Sequence, residues 1–273
     1  MKNKMDKTRL PVGIFDSGIG GLTVLKEIRK LLPNENLIYF GDTARVPYGT
    51  KSKEVVRKYA VQISDFLKNK NVKMMVAACN TVSSTAMGVL KKRYGIPLVG
   101  VVEPGSKEAV LKTKTGRVAV IGTEATIKSG AYQKMISRFS KEKVKSYARS
   151  CPLFVPLVEE GWVDNRPACE TAKIYLGGLK LTGADTLILG CTHYPLLKKL
   201  IRKAAGPEIM IIDSASATAK AVAEKLAGKN IRNNSKQQGH IICYVTDSRL
   251  KFGVSAEKIL GYPLSDIRVV KFN

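Results

Sequence analysis

The sequence predicts an α/β protein of two similar domains, each with a mainly parallel sheet flanked by helices. Short aliphatic runs alternate with amphipathic helical runs along the chain, as in parallel sheets with crossover helices. Two stretches share one design, an aliphatic strand followed by a cysteine and polar residues: MMVAACNTVSS (74–84) and TLILGCTHYPL (186–196). VGIFDSGIGG and VAVIGTEATI likewise each open a half. We therefore expect the domains to be related by a pseudo-twofold axis, with the active site in the cleft between them.

The predicted elements follow from hydrophobic periodicity. The predicted strands are, in chain order, LPVGIF, NLIYF, VKMMVAA, IPLVGVV, GRVAVIG, VKSYA, DTLILG, EIMIID and HIICYVT. The predicted helices are GGLTVLKEIRKLL, KEVVRKYAVQISDFLK, ACETAKIYLGGLK and SATAKAVAEKLAG, of which the first two carry clear apolar faces. We predict that residues 1–103 and 213–273 form the first domain, and that residues 104–212 form the second.

The composition is that of a globular protein, with 44% hydrophobic and 25% charged residues in a chain of 273. No apolar run reaches the length of a membrane span, and the basic N-terminal stretch MKNKMDKTRL lacks the apolar core of a signal peptide. We predict a cytoplasmic protein with a short, loose leader. The five cysteines are odd in number and widely spaced, which disfavours a disulfide framework or a structural zinc site.

The net charge of +24 is the unusual bulk property. Such a charge is found in nucleic-acid-binding proteins, but the lysines here are scattered and no nucleic-acid motif appears. Nonspecific contact with nucleic acid is compatible with this charge and is not required by it. A positive field also attracts small anionic substrates.

The cysteines at the two matching strand ends are the sharpest candidates for chemistry. A single buried cysteine is usually inert packing, but Cys79 and Cys191 recur at equivalent positions. Pro195 suits the first turn of a helix, so Cys191 lies near a helix N-terminus, a position that lowers the pKa of a thiol. A phosphatase loop would need arginine six residues after the cysteine, where Thr85 and Leu197 stand instead. A papain-like pairing with a histidine has no supporting signature.

Three further motifs surround these strand ends. The stretch GIFDSGIGG (13–21) is a glycine-rich turn suited to a carboxylate or phosphate, although it completes neither a dinucleotide fingerprint nor a Walker A loop. Within this stretch, Asp16 either acts in the site or merely caps the next helix. The stretch FGDTARVPYG (40–49) follows a strand and is long for a plain connection, and CPLFVPLVEEGW (151–162) holds Glu159 and Glu160.

Together these motifs resemble those of the glutamate racemases. The resemblance rests on FDSGIGGLTV, FGDTARVPYG, AACNTVSS, CPLFVPLVEEG and LGCTHYPLL, in the family's order over nearly the whole chain. It implies a cofactor-independent, metal-free enzyme that interconverts L- and D-glutamate for bacterial peptidoglycan, with two α/β domains and often a homodimeric assembly. Related racemases of aspartate or hydantoins, and less so a basic nucleic-acid-binding regulator on the same fold, are the alternatives.

The resemblance also implies residue roles. Cys79 and Cys191 act as the two bases, Asp16 assists Cys79, and His193 assists Cys191 with Glu159, preferred over Glu160, nearby. The residues implied to contact the substrate are Asp16, Ser17, Tyr48, Gly49, Asn80, Thr81, Thr192 and His193.

Overall fold

The chain folds around two parallel β-sheets with helices packed on both faces of each. The structure is a computed structural model that describes residues 6–272, with Lys180 by its backbone alone. The strands are β1 (Val12–Asp16), β2 (Leu37–Gly41), β3 (Met74–Ala77), β4 (Leu98–Gly100), β5 (Arg117–Gly122), β6 (Lys145–Ser150), β7 (Thr186–Gly190), β8 (Met210–Asp213), β9 (Ile241–Val245) and β10 (Ile267–Val269). The helices are α1 (Leu22–Leu31), α2 (Lys53–Asn69), α3 (Asn80–Thr85), α4 (Met87–Arg93), α5 (Val102–Lys112), α6 (Glu124–Lys128), α7 (Ala131–Ser140), α8 (Phe154–Glu159), α9 (Arg166–Leu176), α10 (Lys198–Ala205), α11 (Ser214–Gly228) and α12 (Arg249–Leu260).

The two sheets repeat one topology. The first has the order β10-β9-β2-β1-β3-β4 and the second the order β6-β5-β7-β8, and every pairing is parallel. In both halves the first strand lies between the second and the third, and the fourth strand is at an edge. The predicted fold class is confirmed, and β3 and β7, which precede the two cysteines, are the same strand of this repeat.

Alternating side chains of each strand fill two core layers. In β1, Ile14 packs with helices α1, α11 and α12 on one face, while Phe15 packs with α2, α3 and α4 on the other. The predicted apolar face of α1 is buried, with Leu22, Leu25 and Ile28 fully enclosed. Both faces are covered, so the strands read as continuous aliphatic runs rather than alternating ones.

The C-terminal segment returns to the first sheet. Strand β9 pairs with β2, β10 extends the sheet beyond β9, and α11 packs along α1. The division at residues 103 and 213 stays a prediction, although the strands of the two sheets separate at these points.

Several predicted boundaries differ from the structure. Strand β4 ends at Gly100 because the backbone turns helical at Val101 and α5 begins, whereas the sequence predicted a strand through Val102. Helix α9 ends at Leu176, where the Gly177–Gly178 pair stops the predicted longer helix. Within the predicted leader, Lys7–Arg9 form a 3-10 turn capped by Asp6, and residues 1–5 lie outside the described residues. Among residues 6–272, no helix combines the length and the apolarity needed to cross a bilayer.

Candidate active site

The carboxyl ends of β1, β3 and β7 meet around one small cavity. Asp16 is the last residue of β1, Cys79 follows β3 by two residues, and Cys191 follows β7 directly. The space open to the centres of water-sized molecules is about 20 Å³, which is room for one or two waters. The cavity is lined by Ser17, Val46, Pro47, Tyr48, Gly49, Cys79, Asn80, Thr81, Thr123, Val155, Cys191, Thr192 and His193.

Cys79 is held as a neutral thiol. Its side chain is 4% exposed, and its Sγ donates to Ser17 Oγ at 3.7 Å. Burial, reinforced by the charge of Asp16, raises the pKa of Cys79 to about 12. Although Cys79 occupies the N-cap of α3, desolvation outweighs what that position does for the anion. At neutral pH this sulfur therefore carries its proton.

Asp16 both caps a turn and reaches across the cleft. Its Oδ2 accepts the N–H groups of Gly18 and Gly21 at 3.1 and 3.0 Å, and its Oδ1 accepts the hydroxyl of Thr192 at 3.3 Å. Burial raises the pKa of Asp16, while the nearby His193 charge and these hydrogen bonds oppose the rise. The two sequence-based interpretations of Asp16, as cap and as site residue, are thus compatible.

Cys191 belongs to a chain of three polar side chains. His193 Nδ1 lies 3.9 Å from Cys191 Sγ, and His193 Nε2 lies 2.5 Å from Glu159 Oε1. Burial alone would lower the pKa of His193, but its hydrogen bonds to Cys191 and Glu159 and their charges raise it to about 10. The imidazole is therefore cationic at neutral pH. Of the two adjacent acids at the end of α8, the structure brings Glu159 rather than Glu160 to His193.

The structure brings the sequence-predicted residues together. Ser17, Tyr48, Gly49, Asn80, Thr81, Thr192 and His193 all line the cavity with the two cysteines. Asp16 and Glu159 do not line it, and each hydrogen-bonds a residue that does. Their predicted roles remain to be tested.

The loop 42–50 presents Tyr48 and Gly49 to the cavity. The Tyr48 hydroxyl donates to the buried carboxylate of Asp42, which also accepts from Arg45 Nε at 2.7 Å and Thr246 Oγ1 at 2.9 Å. A Cβ built on Gly49 would lie 2.5 Å from Thr123 Cβ, so only glycine lets this loop approach the second half.

Sequence reasoning missed four lining residues: Val46, Pro47, Thr123 and Val155. The most informative is Thr123, whose Oγ1 lies 3.0 Å from Thr81 Oγ1 and so connects the halves. The sequence does contain a signal for Thr123. In the stretches VGIFDSGIGG and VAVIGTEATI, which open the two halves, Ser17 directly follows β1 and Thr123 directly follows β5. The other three lie inside motifs that the sequence did single out.

Two parallel sheets that each bring a thiol to one cavity form the arrangement expected of a two-domain racemase. The chain belongs to the Asp/Glu/Hydantoin racemase family, whose sequence model matches residues 19–222. A glutamate racemase of Geobacter metallireducens is 52% identical over 94% of each chain. A glutamate racemase structure from Francisella tularensis, in complex with D-glutamate, superposes with a TM-score of 0.90 at 37% identity, covering 97% of this chain and 98% of that one. The Thermus thermophilus glutamate racemase, in complex with beta-chloro-D-alanine, gives 0.86 at 42% identity, with 97% and 98% covered.

Proposed function

We propose that this chain interconverts L- and D-glutamate by proton transfer between the α-carbon and two cysteines. The observation that carries the proposal is the pair of thiols, which reach one cavity from equivalent strand ends of two similar halves. Racemisation removes the α-proton from one face and returns a proton to the other. Two bases on opposite faces do this without either having to move around the substrate.

The surroundings of the two sulfurs suit this exchange. The imidazolium of His193 lies 3.9 Å from Cys191 Sγ, where it offsets negative charge that develops on this sulfur during proton transfer, while Cys79 keeps its proton. One thiolate then abstracts the α-proton as the opposite thiol donates its own, so the protonation states of the two sulfurs are exchanged after each turnover. Which sulfur acts as the base depends on the enantiomer bound. Asp16 and Ser17 support the Cys79 side, and Glu159 holds His193 on the Cys191 side.

The same lining suits the two carboxylates of glutamate. None of the residues that line this cavity is a lysine or arginine. The carboxylates would be held by the neutral donors Ser17, Asn80, Thr81, Thr123 and Thr192. Fixed donors in a water-poor site also stabilise the negative charge that develops at the α-carbon, which is an acute need without an electron-sink cofactor.

Glutamate cannot enter the described conformation. A ligand pocket for a small organic molecule is typically hundreds of Å³, far above the 20 Å³ found here. We infer that the halves part to admit substrate and close around it. The contact between Thr81 and Thr123 lies on this closing surface.

The deciding experiment is proton NMR of the purified protein with L-glutamate in D₂O, under reducing conditions and without pyridoxal phosphate. Loss of the α-proton signal with appearance of D-glutamate supports the proposal. An unchanged glutamate signal from folded protein contradicts it. Aspartate and hydantoins are then offered to the same sample, and exchange on one of these alone would identify a related racemase.

The cellular setting follows from the resemblance and from the thiols. We propose a role in supplying D-glutamate to bacterial peptidoglycan, a cytoplasmic location and a homodimer. All five cysteines are free, which suits a reducing compartment. Light scattering tests the homodimer, and D-glutamate auxotrophy on gene depletion tests the role. Retention on DNA that vanishes at physiological salt would identify nonspecific charge contact.

A further inference from the structure

Tyr132 connects the second half to the residue beside Cys79. It lies in α7, is 1% exposed, and its hydroxyl donates to Asn80 Oδ1 at 2.6 Å. Ser214 Oγ lies 3.3 Å from the same hydroxyl. Asn80 directly follows Cys79 and lines the cavity. The hydrogen bond therefore crosses between the halves at the site itself.

The ring of Tyr132 also contacts the strand that carries Cys191. A Cβ built on Gly190 would lie 3.1 Å from Tyr132 Cε2 and 2.6 Å from the carbonyl oxygen of Ile121. Gly190 immediately precedes Cys191, so the missing side chain admits both the neighbouring strand and this ring. Tyr132 thus contacts the residue next to each of the two thiols.

The direction of the hydrogen bond fixes the Asn80 amide. Burial raises the pKa of Tyr132, so its hydroxyl stays protonated and remains a donor. Because Oδ1 accepts the hydrogen bond from Tyr132, the NH₂ group of Asn80 points away from the tyrosine hydroxyl. None of the side-chain hydrogen bonds formed within residues 6–272 involves this NH₂ group. Two N–H donors remain available on a cavity-lining side chain.

We propose that Tyr132 is a positioning residue that turns the Asn80 amide so that its NH₂ group binds a carboxylate of the substrate. This inference rests on the proposed racemisation of glutamate and deepens it. Because Tyr132 and Asn80 come from different halves, the amide is oriented when the halves close. The N–H groups of Asn80 are then oriented to bind the substrate carboxylate only in the closed state.

The test compares Tyr132→Phe, Asn80→Ala and the double variant by steady-state racemisation in both directions. The phenylalanine ring keeps the packing against Gly190 and removes only the hydroxyl. We expect KM for glutamate to rise by about three- to tenfold in Tyr132→Phe, as for one lost hydrogen bond, with a smaller change in kcat. In the Asn80→Ala background the same substitution should have no further effect, because the amide it orients is gone.

Ser214→Ala is the matched control, because it removes the other hydroxyl near Tyr132 and leaves Asn80 in place. It should keep the wild-type KM. Unchanged kinetics in Tyr132→Phe, or an equal effect with and without Asn80, would overturn the inference while wild-type racemisation still supported the function. A wild-type protein that fails to racemise glutamate would overturn both. The melting temperature of each variant distinguishes a general loss of packing from a loss of substrate binding. A general loss of packing would lower the melting temperature and the activity without a selective rise in KM.

Discussion

At the scale of single residues, the two thiols differ because their neighbours differ. Cys79 has the carboxylate of Asp16 and the hydroxyl of Ser17 nearby, and burial holds it protonated. Cys191 has the cationic His193, whose charge is supported by Glu159. The two sulfurs therefore stand in different electrostatic surroundings, one beside a carboxylate and the other beside a cation.

The first residue-scale prediction concerns the bases. Cys79→Ser and Cys191→Ser should each lose racemisation by at least about 10³-fold, because a hydroxyl is far too weak a base to replace a thiolate. Circular dichroism of glutamate solutions measures the rate. Cys169→Ser, at a partly exposed position away from the cavity, should keep full activity. Full activity in either of the first two variants would refute the two-base assignment.

The second residue-scale prediction concerns how the stability of the protein depends on pH. The pKa of His193 rises from 6.5 in the unfolded chain to about 10 in the folded protein, so the folded state binds this proton more tightly. The resulting stabilisation is complete below pH 6.5 and is lost as the pH rises through 10. Urea unfolding should therefore show a stability difference between wild type and His193→Gln that is largest near pH 6 and shrinks toward pH 10.

His240→Gln is the control for that experiment, because His240 is exposed at the start of β9. Its stability difference from wild type should stay small at every pH. A difference for His193→Gln that grew with pH would contradict the cationic imidazole.

At the level of secondary structure, strand-to-helix turns hold the candidate site residues. The turn from β1 to α1 approaches the turn after β7 so closely that a Cβ on Gly20 would lie 2.5 Å from Thr192 Oγ1 and 2.8 Å from His193 Nδ1. A glycine is needed here for the contact between the halves. The same turn carries Asp16 and Ser17, so its placement sets the geometry on the Cys79 side.

Gly20→Ala should therefore lower kcat/KM by about 10²-fold or more, because displacing reacting groups by about 1 Å has costs of this size. Gly88→Ala is the matched variant, since a Cβ at this exposed position in α4 meets nothing within 4 Å. It should keep wild-type activity and raise the free energy of unfolding by about 0.5–1 kcal/mol. Equal activities for the two variants would show that the close contact at Gly20 is not required.

At the level of the complete chain, a buried ion pair holds the C-terminal segment against the first sheet. Lys73 and Glu35 form a buried ion pair with Nζ and Oε2 2.6 Å apart. Lys73 also donates to the carbonyl oxygen of Ile231, and Glu35 accepts the N–H of Asn233 at 2.7 Å. The pair thereby anchors the segment between α11 and β9 to the first sheet.

Lys73→Met should destabilise the protein by about 3–5 kcal/mol, because it leaves the Glu35 carboxylate buried without its partner. Denaturant unfolding measures this change. Lys91→Met is the comparison, since Lys91 pairs with Glu103 at 3.8 Å with both side chains about half exposed, and it should change stability little. A Lys73→Met protein as stable as Lys91→Met would contradict the anchoring role.

Local sequence patterns predict the strand order along the chain, the repeated design of the halves, and the cysteines at equivalent strand ends. These features depend on local periodicity and on glycine and proline placement, which short stretches encode. Motif resemblance added the candidate residues around them. Boundaries were less well predicted where a helix begins directly after a strand, as at Val101.

The contacts between distant segments are visible only in the folded chain. It paired Glu159 with His193, Thr123 with Thr81 and Tyr132 with Asn80, and it set the cavity at about 20 Å³. It also placed β9 beside β2, a pairing that the assignment of residues 213–273 to the first domain does not specify. Such contacts depend on how whole sheets and helices pack, and the residues involved carry no local pattern that names their partners.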